Sequence, residues 1–412
     1  MVNITRDFAP PFKLIAPFFI IGVIFYVISN FMLFSFSMEQ LTYTSDMLLI
    51  SWVHIFLLGF VMMIIFGAMA QLIPVVLEKG HFSVDLYYVI WPLLTLGILM
   101  MAYGFVYSHL ILSFGGMAVL IAMMIFSIEV FLTIKDVKKF DLVVISVIIS
   151  NIFLVMGIVI GFIMALTFAG FMSTDVVLLL KAHIYLLIGG YVFITIMAFS
   201  YILIPMFGLA HGFSIKPLKL AIFLQTVGVI LVFISSLIDS DVISKLGYIL
   251  SLVSVISYFY LIYTVNKTRA RKQSDMYIIS LLVSFIFFVI GLVFGVLHVT
   301  NVNDMYAVLS GWLIFVGFFG FMISGHLYKI VPFLVWYERF SPLVGKQKVP
   351  MLADMVPERA ANFQIFFTGI GIVLECFAIF FQSSDTHMAA ASFLSIGAIF
   401  LFSNLMFMIK FK

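Results

Sequence analysis

The 412-residue chain carries a single cysteine and very little charge, with Asp, Glu, Lys and Arg together making up 9% of it. One thiol, Cys376, excludes disulfides and thiolate metal clusters. A soluble domain has about 25% charged residues, so a water-soluble globule is excluded as well. The net charge of +3 is too small to point to a nucleic-acid partner. HExxH, a P-loop, CxxCH and acid-rich broken helices are all missing, so the sequence gives no support to a metalloprotease, a nucleotide hydrolase or a covalent haem protein. What is present is apolar: 65% hydrophobic residues, with 49 Phe and 25 Met. That is the composition of a chain dissolved in lipid.

Apolar runs fall at about 14–36, 47–76, 86–107, 109–134, 141–169, 181–208, 217–237, 244–266, 276–299, 305–333, 362–382 and 388–410. Each is long enough to cross a bilayer, which takes about 20 residues. They lack the alternation of a membrane strand. The opening MVNITRDFAPPFK leads into a full-length span without a small-residue cleavage site, which predicts a retained helix, not a signal peptide. With the N-terminus in the cytoplasm, 19 of the 21 Lys and Arg fall on the inner side, leaving only Lys181 and Lys245 outside. Positive residues concentrate on the cytoplasmic side of membrane proteins. The expected fold is all-α, with twelve transmembrane helices and both termini inside, in a bacterial inner membrane.

Spans two, six and ten share a pattern. They read His54-Ile-Phe-Leu-Leu-Gly59 to Pro74, His183-Ile-Tyr-Leu-Leu-Ile-Gly189 to Pro205, and Trp312-Leu-Ile-Phe-Val-Gly317 to Pro332. The prolines are 131 and 127 residues apart, which is four spans each time. Proline ends a helix by lacking an N–H, and glycine lets helices approach closely. The spacing predicts one polytopic domain (1–412) built of three quasi-equivalent arcs of four helices, with repeat units at about 14–134, 141–266 and 276–410. Gly59, Gly189 and Gly317 should lie at similar depth.

Three arcs of four helices, with the stretches HIFLLGF…QLIPV, YILIPMFGL and HLYKIVPFLVWYERF, resemble subunit I of the haem-copper oxidases, most closely its short relatives without an obvious partner subunit. The resemblance implies haem or copper. It puts His54 where the span-two axial haem ligand stands and His183 where a copper ligand stands, and His298 is a candidate to cap the iron. The chain also departs from the family. Trp312 occupies the place of the span-ten histidine, and indole offers a metal no lone pair. Span seven lacks the paired histidines, and His183 is not followed by Pro-Glu-Val-Tyr. These departures argue against oxygen reduction by the family mechanism. Respiratory subunits or a homo-oligomer are the partners the resemblance implies, beside the lipid itself.

His109 is expected near the outer end of its span. His326 is expected to pack at the inner interface with Tyr328, Lys329 and Trp336. His81, His211 and His387 fall in turns and are expected to be solvated. Glu129 and Glu375 are the acids inside apolar runs, where an ionised side chain is expensive. Glu375 is the deeper of the two and the candidate for proton handling. Two readings stand side by side. One is an oxidase-subunit-I-like protein, degenerate in its redox centre, that binds haem or copper in respiratory or nitric-oxide metabolism. The other is a secondary transporter of protons, metal or small solute, or a cofactor-free scaffold.

Overall fold

Terminal caps and hydropathy together account for where each helix begins and ends. In the computed structural model, which describes residues 8, 10–272 and 274–412, twelve helices are long and apolar enough to cross a membrane. They are Phe12–Ser35, Met47–Leu77, Leu86–Tyr107, His109–Ile134, Leu142–Phe168, Val176–Gly208, Lys216–Ile238, Asp241–Thr268, Met276–Asn301, Asp304–Arg339, Glu358–Phe381 and Ser384–Lys410, here called spans one to twelve. Among the described residues there is no strand, and the chain is an integral membrane protein of the all-helical kind. Arg6 and most of the opening MVNITRDFA lie outside the described residues.

Polar side chains start many of the spans by accepting the first free amides. Asp46 does so for span two, Asp141 for span five, Asp175 for span six, Asp275 for span nine, Asn303 for span ten and Ser383 for span twelve. Spans two and six end alike. Glu78 and Leu209 both turn left-handed (φ 51° each), and the amides of Lys79 and Ala210 close on the carbonyls of Pro74 and Pro205.

Spans two, six and ten share local features. They are the three longest, and each contains a π-helical stretch: Ile55–Met62, Tyr185–Val192 and Leu313–Phe319. Within each stretch one glycine lies against a phenylalanine of the preceding span. A Cβ on Gly59 would come within 2.5 Å of Phe25, on Gly190 within 2.8 Å of Phe153, and on Gly317 within 2.7 Å of Phe287. Gly190, not Gly189, is therefore the counterpart of Gly59 and Gly317. A Cβ on Gly189 would instead meet the Gln225 amide at 3.1 Å. The proline spacing agrees, because Gly59, Gly190 and Gly317 each stand 15 residues before their proline.

The chain forms two compact units. Unit one takes in Ile73–Gly97 and residues 109–272, and unit two Pro10–Leu72, Ile98–Ser108 and Ser274–Lys412. Each unit has a buried core that includes one intramembrane carboxylate, Glu129 in unit one and Glu375 in unit two.

Candidate functional site: two buried carboxylate–histidine pairs

Each buried carboxylate has a histidine against it, and in both cases that histidine is one expected to be solvated. In unit one the turn after span two folds back, and the His81 ring drops onto span four. Its Nδ1 lies 2.8 Å from Glu129 Oε1, with both side chains at most 1% exposed. The Thr133 hydroxyl donates to the same oxygen at 2.8 Å, and the Tyr87 hydroxyl donates to Oε2 at 2.9 Å. Thr133 also accepts from the Phe82 amide at 3.0 Å, which ties the turn down. Glu129 does not reach water; it is the hub that joins the turn to spans three and four.

In unit two the link between spans eleven and twelve is very short. Gln382 turns left-handed (φ 53°), Ser383 caps span twelve, and His387 falls in that span's first turn, facing span eleven. Its Nδ1 lies 2.9 Å from both Glu375 oxygens, and its Nε2 lies 2.9 Å from the Leu33 carbonyl of span one. A carbonyl only accepts, so Nε2 carries a hydrogen. The contact between Nδ1 and the carboxyl group then holds one proton, shared by two acceptors. Placed on either, it leaves the pair neutral overall, which the hydrocarbon interior favours. His387 is 1% exposed and Glu375 is fully covered.

More polar side chains line the core of unit two. The Asn404 amide donates to the Tyr328 hydroxyl at 2.9 Å, and that hydroxyl donates to Gln364 Oε1 at 3.3 Å. The Gln364 amide donates to Thr368 Oγ1 at 3.2 Å, and Thr368 and Tyr26 are both buried. Asn30 and Ser395 are buried too, with the Ser395 hydroxyl 3.4 Å from the Asn30 carbonyl. Gln364 and Asn404 carry no role in the sequence analysis, and Tyr328 is expected at the inner interface beside His326. Their spacing along spans ten to twelve, on the buried side of each, was the available signal.

The histidines singled out as ligands each bond a main-chain carbonyl through Nδ1. His54 bonds through Nδ1 to its own helix at Ile50 O (2.8 Å) and packs on Phe105 of span three, 4.8 Å between ring centres. His183 bonds through Nδ1 to Gly157 O (2.9 Å) and lies flat over Gly161, where a Cβ would come within 2.6 Å of its Cε1. His298 bonds to Asn303 O (2.9 Å) and so braces the turn at Val302, a β-branched residue held left-handed at φ 44°. His326 bonds to Met322 O (2.7 Å) and meets Tyr277 edge-on. The proline register also realigns the histidines. His54, Tyr185 and Trp312 each stand 20 residues before their proline, so His183 is not the counterpart of His54.

A haem held between spans two and ten does not fit these residues. Trp52 of span two stacks on Trp312 of span ten, with ring centres 5.6 Å apart and planes 22° apart, and Phe56 continues the stack. Both indoles are anchored, Trp52 to Ser29 O at 2.8 Å and Trp312 to Ile372 O at 3.3 Å. Residues two apart on a helix point about 200° apart, so His54 faces away from the side Trp52 turns to span ten. No cluster of three or more His, Cys, Asp or Glu able to hold a metal occurs among the described residues. No protein-family description and no curated protein matches the chain.

Proposed function

We propose that this membrane protein handles protons, moving them alone or together with a solute, and that Glu375 and His387 form its exchangeable protonation site. The carrying observation is that His387 Nδ1 lies 2.9 Å from both oxygens of a carboxyl group sealed in the apolar core, while Nε2 is occupied by Leu33 O. A carboxyl group in hydrocarbon is costly to ionise, and such groups commonly mark proton or ion pathways. The proposed setting is a bacterial inner membrane, with both termini cytoplasmic, as the lysine and arginine distribution implies. Three equivalent arcs of four helices are the proposed architecture, supported by the π-helical stretches and glycine–phenylalanine contacts of spans two, six and ten.

The test is proton entry into proteoliposomes that hold a pH-sensitive dye, driven by an imposed pH gradient. Wild-type protein should carry protons and Glu375→Gln should not. Equal rates for the two, or none above protein-free vesicles for wild type, would reject the proposal. The resemblance to oxidase subunit I is retained for architecture alone, with the span-two and span-ten haem position filled by tryptophan. An absorption spectrum and metal analysis of the purified protein test that part. A Soret band lost on His54→Ala would restore the haem reading.

A further inference from the structure

Unit two contains more than an isolated acid. Asn404, Tyr328, Gln364, Thr368, Tyr26, Asn30 and Ser395 are each at most 4% exposed, and they form a polar path through a mostly apolar core. The path draws on spans one, ten, eleven and twelve. Along span twelve, Asn404 and His387 are 17 residues apart, about 25 Å of a hydrocarbon layer roughly 30 Å thick. At the Asn404 end, the neighbour of Tyr328 on span ten is Lys329, paired with Asp275 at 2.5 Å and partly exposed. At the other end stands the Glu375–His387 pair.

We infer that this path is the proton route between the Glu375–His387 pair and the membrane face that carries Asp275 and Lys329. The inference rests on the protonation role proposed for that pair.

Burying so many hydroxyls and amides has a simpler use, since polar groups in lipid hold helices together. Three features go beyond that. The side chains bond to one another in sequence from Asn404 to Thr368, whereas helix-to-helix bonds scattered through a core need no such order. Between Thr368 and Glu375 span eleven itself offers only Gly371 and the apolar Ile372 on its buried side, while spans one and twelve add the buried polar residues Asn30 and Ser395, with the Ser395 hydroxyl 3.4 Å from the Asn30 main-chain carbonyl. The path also lies in the same core as the Glu375–His387 pair, which holds the buried carboxyl group of this unit.

The chemistry assigns different parts to different residues. The hydroxyls of Tyr328, Thr368 and Tyr26 can each accept a hydrogen bond from a proton carrier and release their own proton onward. The amides of Gln364 and Asn404 relay no proton; they orient the hydroxyls and give water polar partners, which it needs in a buried site. In one turnover the shared proton leaves the pair at the far side. That leaves a carboxylate beside a neutral imidazole whose Nε2 stays bonded to Leu33 O. One proton arriving along the path then restores the neutral pair, and no electron or other group is transferred.

Two isosteric changes remove hydroxyls without removing bulk, Tyr328→Phe and Thr368→Val. In proteoliposomes the double variant should carry protons at least tenfold more slowly than wild type. Its Glu375 should still react with a hydrophobic carbodiimide as in wild type, read by peptide mass spectrometry, which shows the terminal site intact and the protein folded. Gly397→Ala keeps every polar side chain but puts a Cβ 2.3 Å from Thr368 Oγ1 and 3.0 Å from the Thr368 main-chain nitrogen, so Thr368 must shift, and it should slow transport in the same direction. Double-variant flux within twofold of wild type, with Glu375→Gln inactive, would overturn the route while leaving the protonation site standing. Wild-type protein with neither flux nor carbodiimide labelling of Glu375 would remove both.

Discussion

Glu129 and Glu375 are the same residue type, each buried in lipid-soluble helices and each met by a histidine Nδ1, but their surroundings differ. Three donors from three parts of unit one converge on Glu129, namely His81, Tyr87 and Thr133, and together they occupy both oxygens. At Glu375 both oxygens meet one nitrogen, and the imidazole behind it is braced by a main-chain carbonyl. The first arrangement is a knot that holds a turn against two helices. The second is a pair with one proton to share. Burial marks a carboxyl group as unusual, and the number and kind of its donors decide whether it serves as a fastener or an exchange site.

The contrast is tested first by truncation. Glu129→Ala strands three donors in a buried site and should cost about 3–5 kcal/mol, the loss typical of breaking a buried charged contact. Denaturant titration in detergent micelles measures it, and a loss below about 1 kcal/mol would mean the knot is not structural. Glu129→Gln is gentler, because the amide keeps one acceptor but turns its NH2 toward a donor. It should cost roughly 1–3 kcal/mol, the price of a buried group left unsatisfied. Thr133→Val removes one hydroxyl that serves both Glu129 and the Phe82 amide, and should cost about 1 kcal/mol.

Glu375→Gln should have the smallest effect on stability, below about 1 kcal/mol, because the new amide can donate to Nδ1 while Nε2 keeps Leu33 O. The same variant should eliminate proton transport. Glutamine would thus damage stability in unit one and activity in unit two. If Glu375→Gln destabilised the protein as much as Glu129→Gln does, the two sites would be fasteners alike and the distinction would collapse.

Much of the fold was legible in the sequence because hydropathy is a property of single segments. Spans of 22 residues or more, with few charges, have no soluble alternative, and Asp, Asn or Ser at many of their starts mark where helix begins. The proline spacing singled out spans two, six and ten, which are the spans that contain π-helical stretches. It even contained the correct glycine register, since Gly190 and not Gly189 stands at the same distance from its proline as Gly59 and Gly317 do. The two acids were legible as well, because an acidic residue in an apolar run stands out.

Their partners were not. His81 and His387 lie in or beside turns, and a turn at the end of a membrane span ordinarily meets water. Whether such a turn folds back depends on the left-handed residue at Glu78 or Gln382 and on what the next helix presents, and neither is a local property. His54 illustrates the converse. Its depth in span two is set by the sequence, but the side of the helix it occupies, and the tryptophan stack on the opposite side, depend on how the helices are rotated against each other. Sequence determined which residues enter the bilayer, because transfer into lipid is a sum over neighbouring residues. Tertiary structure decided which polar atoms meet there, because each buried donor must find an acceptor, and the candidates come from helices hundreds of residues apart, as between His387 and Leu33.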